Sequence, residues 1–294
     1  MSDVIIDRVP ELGKSILIVG MGGWANAGEV STASALYVIN QLKAKKFACI
    51  NIDRFNDFQS LRPIVQVEKG VIRSLDFASN DFYYWKSGKK PHDLIIFHGT
   101  EPQLLWRDFI RCFFQVLQPF TLDRIFTIGG VFDHVPHTID PPITAVVPRK
   151  GQMKILSSHG ITGTEYTGPA SFHSFILTEA KRRGIPSISL WGHVPSYIQS
   201  QNPKVIQSMI QKLSRLIGME FDLQGFEEPI QRMESQLEHA MEEKPELREF
   251  VQQLEDHYLK DRPEETSRDS KVIRFEEWLK KLDSGGGDGT KNKK

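Results

Sequence analysis

Four short segments of the chain gather residue types that do chemistry. The first, Gly20-Met21-Gly22-Gly23-Trp24-Ala25, matches G-x-G-x-x-A, the turn whose glycines admit a pyrophosphate to the backbone and whose following helix supplies unpaired N–H groups. A dinucleotide site also wants an acidic residue about 20 positions on. Here Asp53 stands 28 residues past Ala25, and Trp24 puts a large side chain where phosphate would enter. A tight turn that needs glycine for its backbone angles accounts for the motif without a ligand.

The second segment, Asp133-His134-Val135-Pro136-His137, offers a carboxylate and two imidazoles, which with His98 or His159 would make a zinc ligand set. Proline fixes an extended loop there rather than a ligand-bearing helix, so His134 and His137 are expected to bond loop backbone. The third, Tyr166-Thr167-Gly168-Pro169-Ala170-Ser171-Phe172, places Gly168-Pro169 at a helix start and Ser171 in its first turn, where an anion would be welcome. A serine nucleophile needs a strained elbow, and no G-x-S-x-G occurs. The fourth, Leu190-Trp191-Gly192-His193-Val194-Pro195-Ser196-Tyr197, runs off a strand end and sets Trp191, His193 and Tyr197 near the carboxyl edge of a sheet, where clefts form. His193 there is a candidate acid or base, set against the plainer reading of a structural histidine between aromatics.

No P-loop, kinase signature or paired CxxC is present, and the glutamates of 227–255 have the spacing of solvated helix faces. The ligand-binding candidates at the strand ends are therefore Gly22, Gly23, Trp24, Asn26, Gly28, His137, Tyr166, Gly168, Pro169, His193 and Tyr197. No catalytic or metal residue is assigned and no cofactor is expected.

These segments need elements to hold them. Short β-branched apolar runs recur at 16–19, 47–52, 94–97, 124–128, 143–147 and 187–191, each too brief for a helix and read as a strand buried on both faces. Helical patterns lie between them. Asn26 is a plausible N-cap for a helix to Leu42, and Thr100-Glu101-Pro102-Gln103 has the form of a capping box for one reaching Leu117. Gly168-Pro169 opens a helix ending near Arg183, and Asn202-Pro203 another with Val205, Ile206, Met209, Ile210, Leu213 and Ile217 on one face. Residues 64–77 alternate around Lys69-Gly70, which predicts a hairpin at the sheet edge. The fold class is thus α/β: a three-layer α/β/α sandwich with a mixed, mostly parallel sheet of the phosphorylase/hydrolase-like kind.

Beyond Phe221 the pattern changes to two amphipathic stripes, Ile230–Met241 and Leu247–Tyr258, separated by Pro245: a helical hairpin. The expected divisions are an N-terminal segment 1–14, the α/β/α domain 15–221, the helical hairpin 222–260, a linker with a short amphipathic helix 261–283, and a Gly/Lys-rich disordered tail 284–294. With 37 basic and 37 acidic residues the chain has no net charge, which argues against nucleic-acid or membrane-surface binding. Cys49 and Cys112 both sit in apolar runs and fit a reducing compartment. Without a signal-like start or an 18-residue apolar run, the expected location is the cytoplasm.

Four motifs in order, Gly22-Gly23-Trp24-Ala25-Asn26-Ala27-Gly28, Gly129-Gly130 through Pro136-His137-Thr138, Tyr166-Thr167-Gly168-Pro169, and Leu190 to Tyr197 followed by Asn202-Pro203, resemble the proteasome-assembly-chaperone-2 family in its bacterial form, with a C-terminal helical extension. The resemblance covers about 15–221. It implies a fold similar to purine nucleoside phosphorylases, homo-oligomerisation with a trimer among the states, and in archaeal and eukaryotic relatives a chaperone role in building the proteasome α-ring. It leads to an assembly-chaperone-like, protein-binding and non-catalytic role with an unidentified protein partner. The alternative is an enzyme or sensor with a nucleoside- or phosphate-type ligand at the strand ends, and a more distant one is a dinucleotide-dependent oxidoreductase. Asn26 stands where the family commonly has aspartate, Ile139-Asp140 where Arg-Pro is frequent, and Gly192 where alanine is usual. Relatives that dock on the proteasome end in a hydrophobic–tyrosine–any-residue motif, whereas this chain ends Thr290-Lys291-Asn292-Lys293-Lys294, so docking by the tail is not expected.

Overall fold

A computed structural model describes residues 2–88 and 91–260, so the linker, short helix and tail expected at 261–294 lie outside the described residues. In chain order the elements are β1 (Val4–Ile6), β2 (Ser15–Gly22), α1 (Val30–Leu42), β3 (Lys45–Ile50), β4 (Ile64–Glu68), β5 (Val71–Asp76), β6 (Asn80–Trp85), β7 (Asp93–Thr100), α2 (Trp106–Leu117) and β8 (Leu122–Asp133). They continue with β9 (Ile143–Val146), α3 (Met153–Ser157), β10 (Thr162–Gly163), α4 (Phe172–Arg182), β11 (Ser187–Pro195), α5 (Pro203–Ile217), α6 (Glu227–Glu243) and α7 (Pro245–Lys260).

The nine-stranded sheet runs β1-β3-β6-β7-β2-β8-β11-β9-β10. The four central strands β7, β2, β8 and β11 are mutually parallel, while β1, β3 and β6 on one side and β9 on the other join antiparallel. The centre explains the unbroken apolar runs: a strand covered on both faces has no polar side to show. Odd-numbered residues of β2, such as Leu17 and Val19, pack under α2 and α4, and even-numbered ones, Ile16 and Ile18, under α1 and α5. Met233, Val251 and Leu254 are buried, so each stripe of the α6–α7 pair contributes to the interior.

Two helices start later than their sequence signals suggest, and at the first of them long-range contacts take the capping groups. Glu101 and Gln103 do not cap α2: the Gln103 side chain accepts from the Asp57 backbone N–H at 2.7 Å, and Glu101 bonds two backbone groups far along the chain. The helix therefore begins at Trp106. Gly168-Pro169 likewise precedes α4 rather than opening it, and the N-cap position falls to Ser171. Asn26 does serve α1, accepting from the N–H groups of Ser31 and Thr32 at 3.0 and 3.1 Å, but across a 3-10 turn at Ala27–Glu29. The hairpin 64–77 forms as β4–β5, yet as a separate two-stranded ribbon and not as an edge of the main sheet.

The Asn202-Pro203 signal is realised directly: Asn202 Oδ1 accepts from the Val205 N–H at 3.1 Å, and Pro203 occupies the first turn. Because Asn202 is buried, water cannot replace that bond. Asn202→Ala is expected to cost ~1–2 kcal/mol, measured as a shift in urea midpoint at unchanged m-value.

Candidate functional site

At the carboxyl ends of β8 and β11 the sheet opens into a cleft of about 270 Å³. Strand pairing explains its floor. In the parallel β8–β11 pair His193 lies opposite Val131 and Trp191 opposite Gly129, and in the antiparallel β9–β11 pair Trp191 lies opposite Thr144. The period of two then puts Val131, Asp133, Thr144, Val146, Trp191 and His193 on one face. A Cβ on Gly129 would meet the Trp191 ring at 2.8 Å, so the glycine is what lets the indole lie against β8.

His193 is held from both sides: Nδ1 is 2.7 Å from Asp133 Oδ2, and Nε2 is 2.9 Å from Thr144 Oγ1. With Nδ1–H donating to the carboxylate, Nε2 accepts from the threonine hydroxyl, so one tautomer and one ring orientation are selected. Burial pushes the Asp133 carboxyl upward, but bonding to His193 and to the His134 N–H outweighs it and leaves the group below the usual carboxylate range. Trp24 and Tyr166 form the rim, both largely exposed, with ring centroids 6.4 Å apart and tilted 48°. Tyr166 folds back to donate to Pro169 O at 3.0 Å, passing so close to Gly168 that a Cβ there would sit 2.5 Å from the phenol oxygen. Thr164, Ser171 and Ser174 add hydroxyl-bearing side chains to the walls.

Beneath the rim, the glycine turn holds an anion of the protein's own. Glu101 Oε2 accepts from the Trp24 N–H at 3.1 Å, and Oε1 from the Phe172 N–H, the first of α4, at 2.6 Å. Gly23 makes this possible with φ +117°, and a Cβ there would lie 2.8 Å from Glu101 Cβ. The fingerprint's first glycine serves packing instead, since a Cβ on Gly20 would sit 2.4 Å from Ala35 Cβ and its absence sets how closely α1 approaches β2. The place a pyrophosphate takes in a dinucleotide fold is filled by a carboxylate here.

The sequence candidates thus divide into three groups. Trp24, Tyr166, Pro169 and His193 line the cleft, and Gly168 shapes its wall. Gly22, Gly23, Asn26 and Gly28 build the turn below, where Gly28 packs against Val194 and Asn202. His137 and Tyr197 lie elsewhere, where the α6–α7 pair meets the domain. The Tyr197 hydroxyl accepts from the His137 N–H at 2.8 Å and lies 2.7 Å from His137 Nδ1, and its ring stacks edge-on with Phe250 of α7 at 6.0 Å. Thr138 bonds Glu255 of α7, and Lys204 joins His137 O to Glu234 of α6. Burial raises the Tyr197 phenol to about 12, and burial together with the Lys204 charge lowers the His137 imidazole. These two residues anchor the helical pair.

Thr144 and Ser174 line the cleft at positions that no local motif marks, whereas Asp133, which holds His193 from behind the cleft, and Ser171 and Trp191 stand out in the sequence only as members of their motifs. The available signal was positional: Asp133 and His193 each fall at the end of an apolar run, as neighbours on adjacent strands must. Among the described residues no group of three or more His, Cys, Asp or Glu side chains is arranged to hold a metal ion, and no helix is long and apolar enough to cross a membrane.

The model of the PAC2 family matches residues 21–241, a span that takes in the cleft and most of α6. No curated protein matches the chain. Among solved structures, a PAC2 family protein from Streptomyces avermitilis aligns with a TM-score of 0.72 at 23% identity, covering 81% of this chain and 100% of its own. A proteasome-assembly chaperone homologue from Mycobacterium tuberculosis gives 0.72 at 22% identity over 80% and 99% of the two chains. PbaB of Pyrococcus furiosus, an archaeal proteasome activator, gives 0.66 at 24% identity over 81% and 97%. At such identities these structures share the fold with this chain.

Proposed function

The chain belongs to the PAC2 family, and from that premise we propose that it is a non-catalytic, assembly-chaperone-like protein-binding module that works as a homo-oligomer in the cytoplasm. The observation that carries the reading is the β4–β5 ribbon. Ile64 and Ile72 are 69% and 67% exposed, and Val65, Val67, Val71, Leu75 and Phe77 are exposed with them. A lone two-stranded ribbon is marginal in water, and one that shows this much apolar surface is built to be covered. A second copy of the chain fits as the cover, since it presents the same apolar ribbon and carries no net charge to repel its twin. The related structures named as a proteasome-assembly chaperone homologue and a proteasome activator support a protein client beyond the oligomer.

Sedimentation of the full chain tests the oligomer. The wild type is expected to sediment as a multimer and the double variant Ile64→Lys, Ile72→Lys as a monomer with unchanged far-UV circular dichroism. A wild type that remains monomeric at tens of micromolar would remove the homo-oligomer from the proposal. Crosslinking capture of the client, with the α6–α7 pair intact, tests the rest: recovery of no specific protein above background contradicts it.

A second reading has an observation of its own. The cleft gathers three of the four chemistry-bearing segments, through Trp24, Tyr166 and His193, around one cavity at the strand ends. That is where open α/β sheets bind small molecules. Under this reading the protein is a small-molecule sensor or enzyme with a nucleoside- or phosphate-type ligand.

A further inference from the structure

We propose that the cleft takes an uncharged, flat heteroaromatic ring of the nucleobase class, with donors and acceptors on its edge, and that it rejects the phosphorylated form of the same molecule. The inference rests on the small-molecule reading of the cleft and narrows it to one ligand chemistry.

Charge is the first argument. Among the described residues no Lys, Arg, Asp or Glu side chain lines the cleft. The nearby groups that would attract a phosphate, the N–H groups of Trp24 and Phe172, are both occupied by Glu101. Behind His193, only 2.7 Å from its ring, stands the Asp133 carboxylate, which sets a field hostile to anions. A phosphate brought here would lose its water and meet no lysine or arginine among the described residues of the lining.

Shape is the second. The half-exposed rings of Trp24 and Tyr166 and the indole of Trp191 offer flat apolar faces, suited to a flat guest. At about 270 Å³ the cavity is at the small end for ligand sites and holds one ring system with a modest substituent.

Unused hydrogen-bonding capacity is the third. Among the described residues Ser171 Oγ, Trp191 Nε1 and both ring nitrogens of His173 are buried without a partner, with Ser171 and His173 only 2% and 1% exposed. Buried polar groups are bonded as a rule, so a cluster of exceptions calls for a missing partner. Ser171 and Trp191 line the cleft and are the two that a guest meets, whereas His173 lies behind the indole, its ring 5.7 Å from that of Trp191, and lines no part of it. Ser171 holds the N-cap position of α4 without a side-chain cap bond, so its hydroxyl gives up no bond of its own when it meets a guest. Donors and an acceptor side by side match the mixed edge of a heteroaromatic base better than a hydrocarbon ring.

The test titrates the full chain with adenosine, inosine and cytidine and with their 5′-monophosphates, following tryptophan fluorescence and thermal midpoint. At least one nucleoside is expected to bind, with its monophosphate about tenfold or more weaker. Trp24→Ala and Tyr166→Ala, both at exposed rim positions, are expected to weaken it by about tenfold, and Ser171→Ala to weaken it as well. Lys14→Ala, at the amino end of β2 and so at the opposite end of the parallel strands from the cleft, leaves it unchanged. Equal or tighter binding of a monophosphate overturns this proposal while keeping a small-molecule site. Silence from all six compounds overturns this proposal and the small-molecule reading together.

Discussion

At pH 5 the protein is expected to be ~2 kcal/mol less stable than at pH 8 through His173 alone, a difference that corresponds to a thermal midpoint lower by roughly 4–8 °C. The His173 ring is buried with neither nitrogen bonded among the described residues, and burial lowers its pKa from 6.5 to about 4. In the unfolded chain the same imidazole takes up a proton below pH 6.5, whereas the folded protein refuses it until about pH 4. Between these values the unfolded state binds more protons, so stability is full above 6.5, falls as pH falls, and stops falling below about 4. His98 and His137, lowered mainly by burial, add slope of the same sign. The depressed Asp133 and Asp123 carboxyls act at more acid pH, near and below the ordinary value of 3.8. The diagnostic is therefore the difference between wild type and His173→Leu, from urea unfolding at a series of pH values. The variant should gain ~1 kcal/mol at pH 8, because two unbonded buried nitrogens are removed, and about 2 kcal/mol more at pH 5. A variant whose pH profile parallels the wild type would show that His173 is not the group responsible.

Glu101→Ala should destabilise the fold by ~3 kcal/mol, the loss of two charge-assisted hydrogen bonds at about 1.5 kcal/mol each. That is roughly 6–12 °C in thermal midpoint. The carboxylate joins the Trp24 turn to the start of α4, so its removal leaves the Trp24 and Phe172 N–H groups unbonded and the first turn of the helix without its anion. Glu101→Gln keeps one acceptor and should lose about half as much. Sulfate supplies a readout of its own. In Glu101→Ala the two N–H groups face a vacated anion position, so added sulfate should raise the variant's midpoint more than the wild type's. Equal stability of Glu101→Ala and wild type would mean that the bridge adds nothing net.

The central strands were legible because burial on both faces leaves a signature in local composition. Ile16–Val19 and Leu94–Phe97 read as strands without knowledge of their neighbours. β6 was missed because it opens with Asn80-Asp81, a polar pair that belongs in a buried strand only once Lys46 is seen 2.7 Å from Asp81. The same limit applies to the site. Glu101 looked like a capping residue since local pattern offers no view of residues 24 and 172. Asp133 was grouped with His134 and His137 because they are close in sequence, whereas strand pairing gives it His193 instead. His137 and Tyr197 were grouped with the cleft by their motifs, and they turn out to hold the α6–α7 pair, an assignment that depends on where Phe250 and Glu255 land. What escaped the sequence throughout is partnership between residues dozens of positions apart.

The strand order carries a consequence for synthesis. β2 lies between β7 and β8, so once made it has no partner on either side until Thr100, and then Asp133, have followed it. At ~5–20 residues per second the wait from Gly22 to Thr100 is roughly 4–16 s. For that interval Ile16 to Val19, which the finished protein buries, travels as an open strand edge. The nascent chain therefore depends on slow, long-range closure of its own centre before its core is sealed.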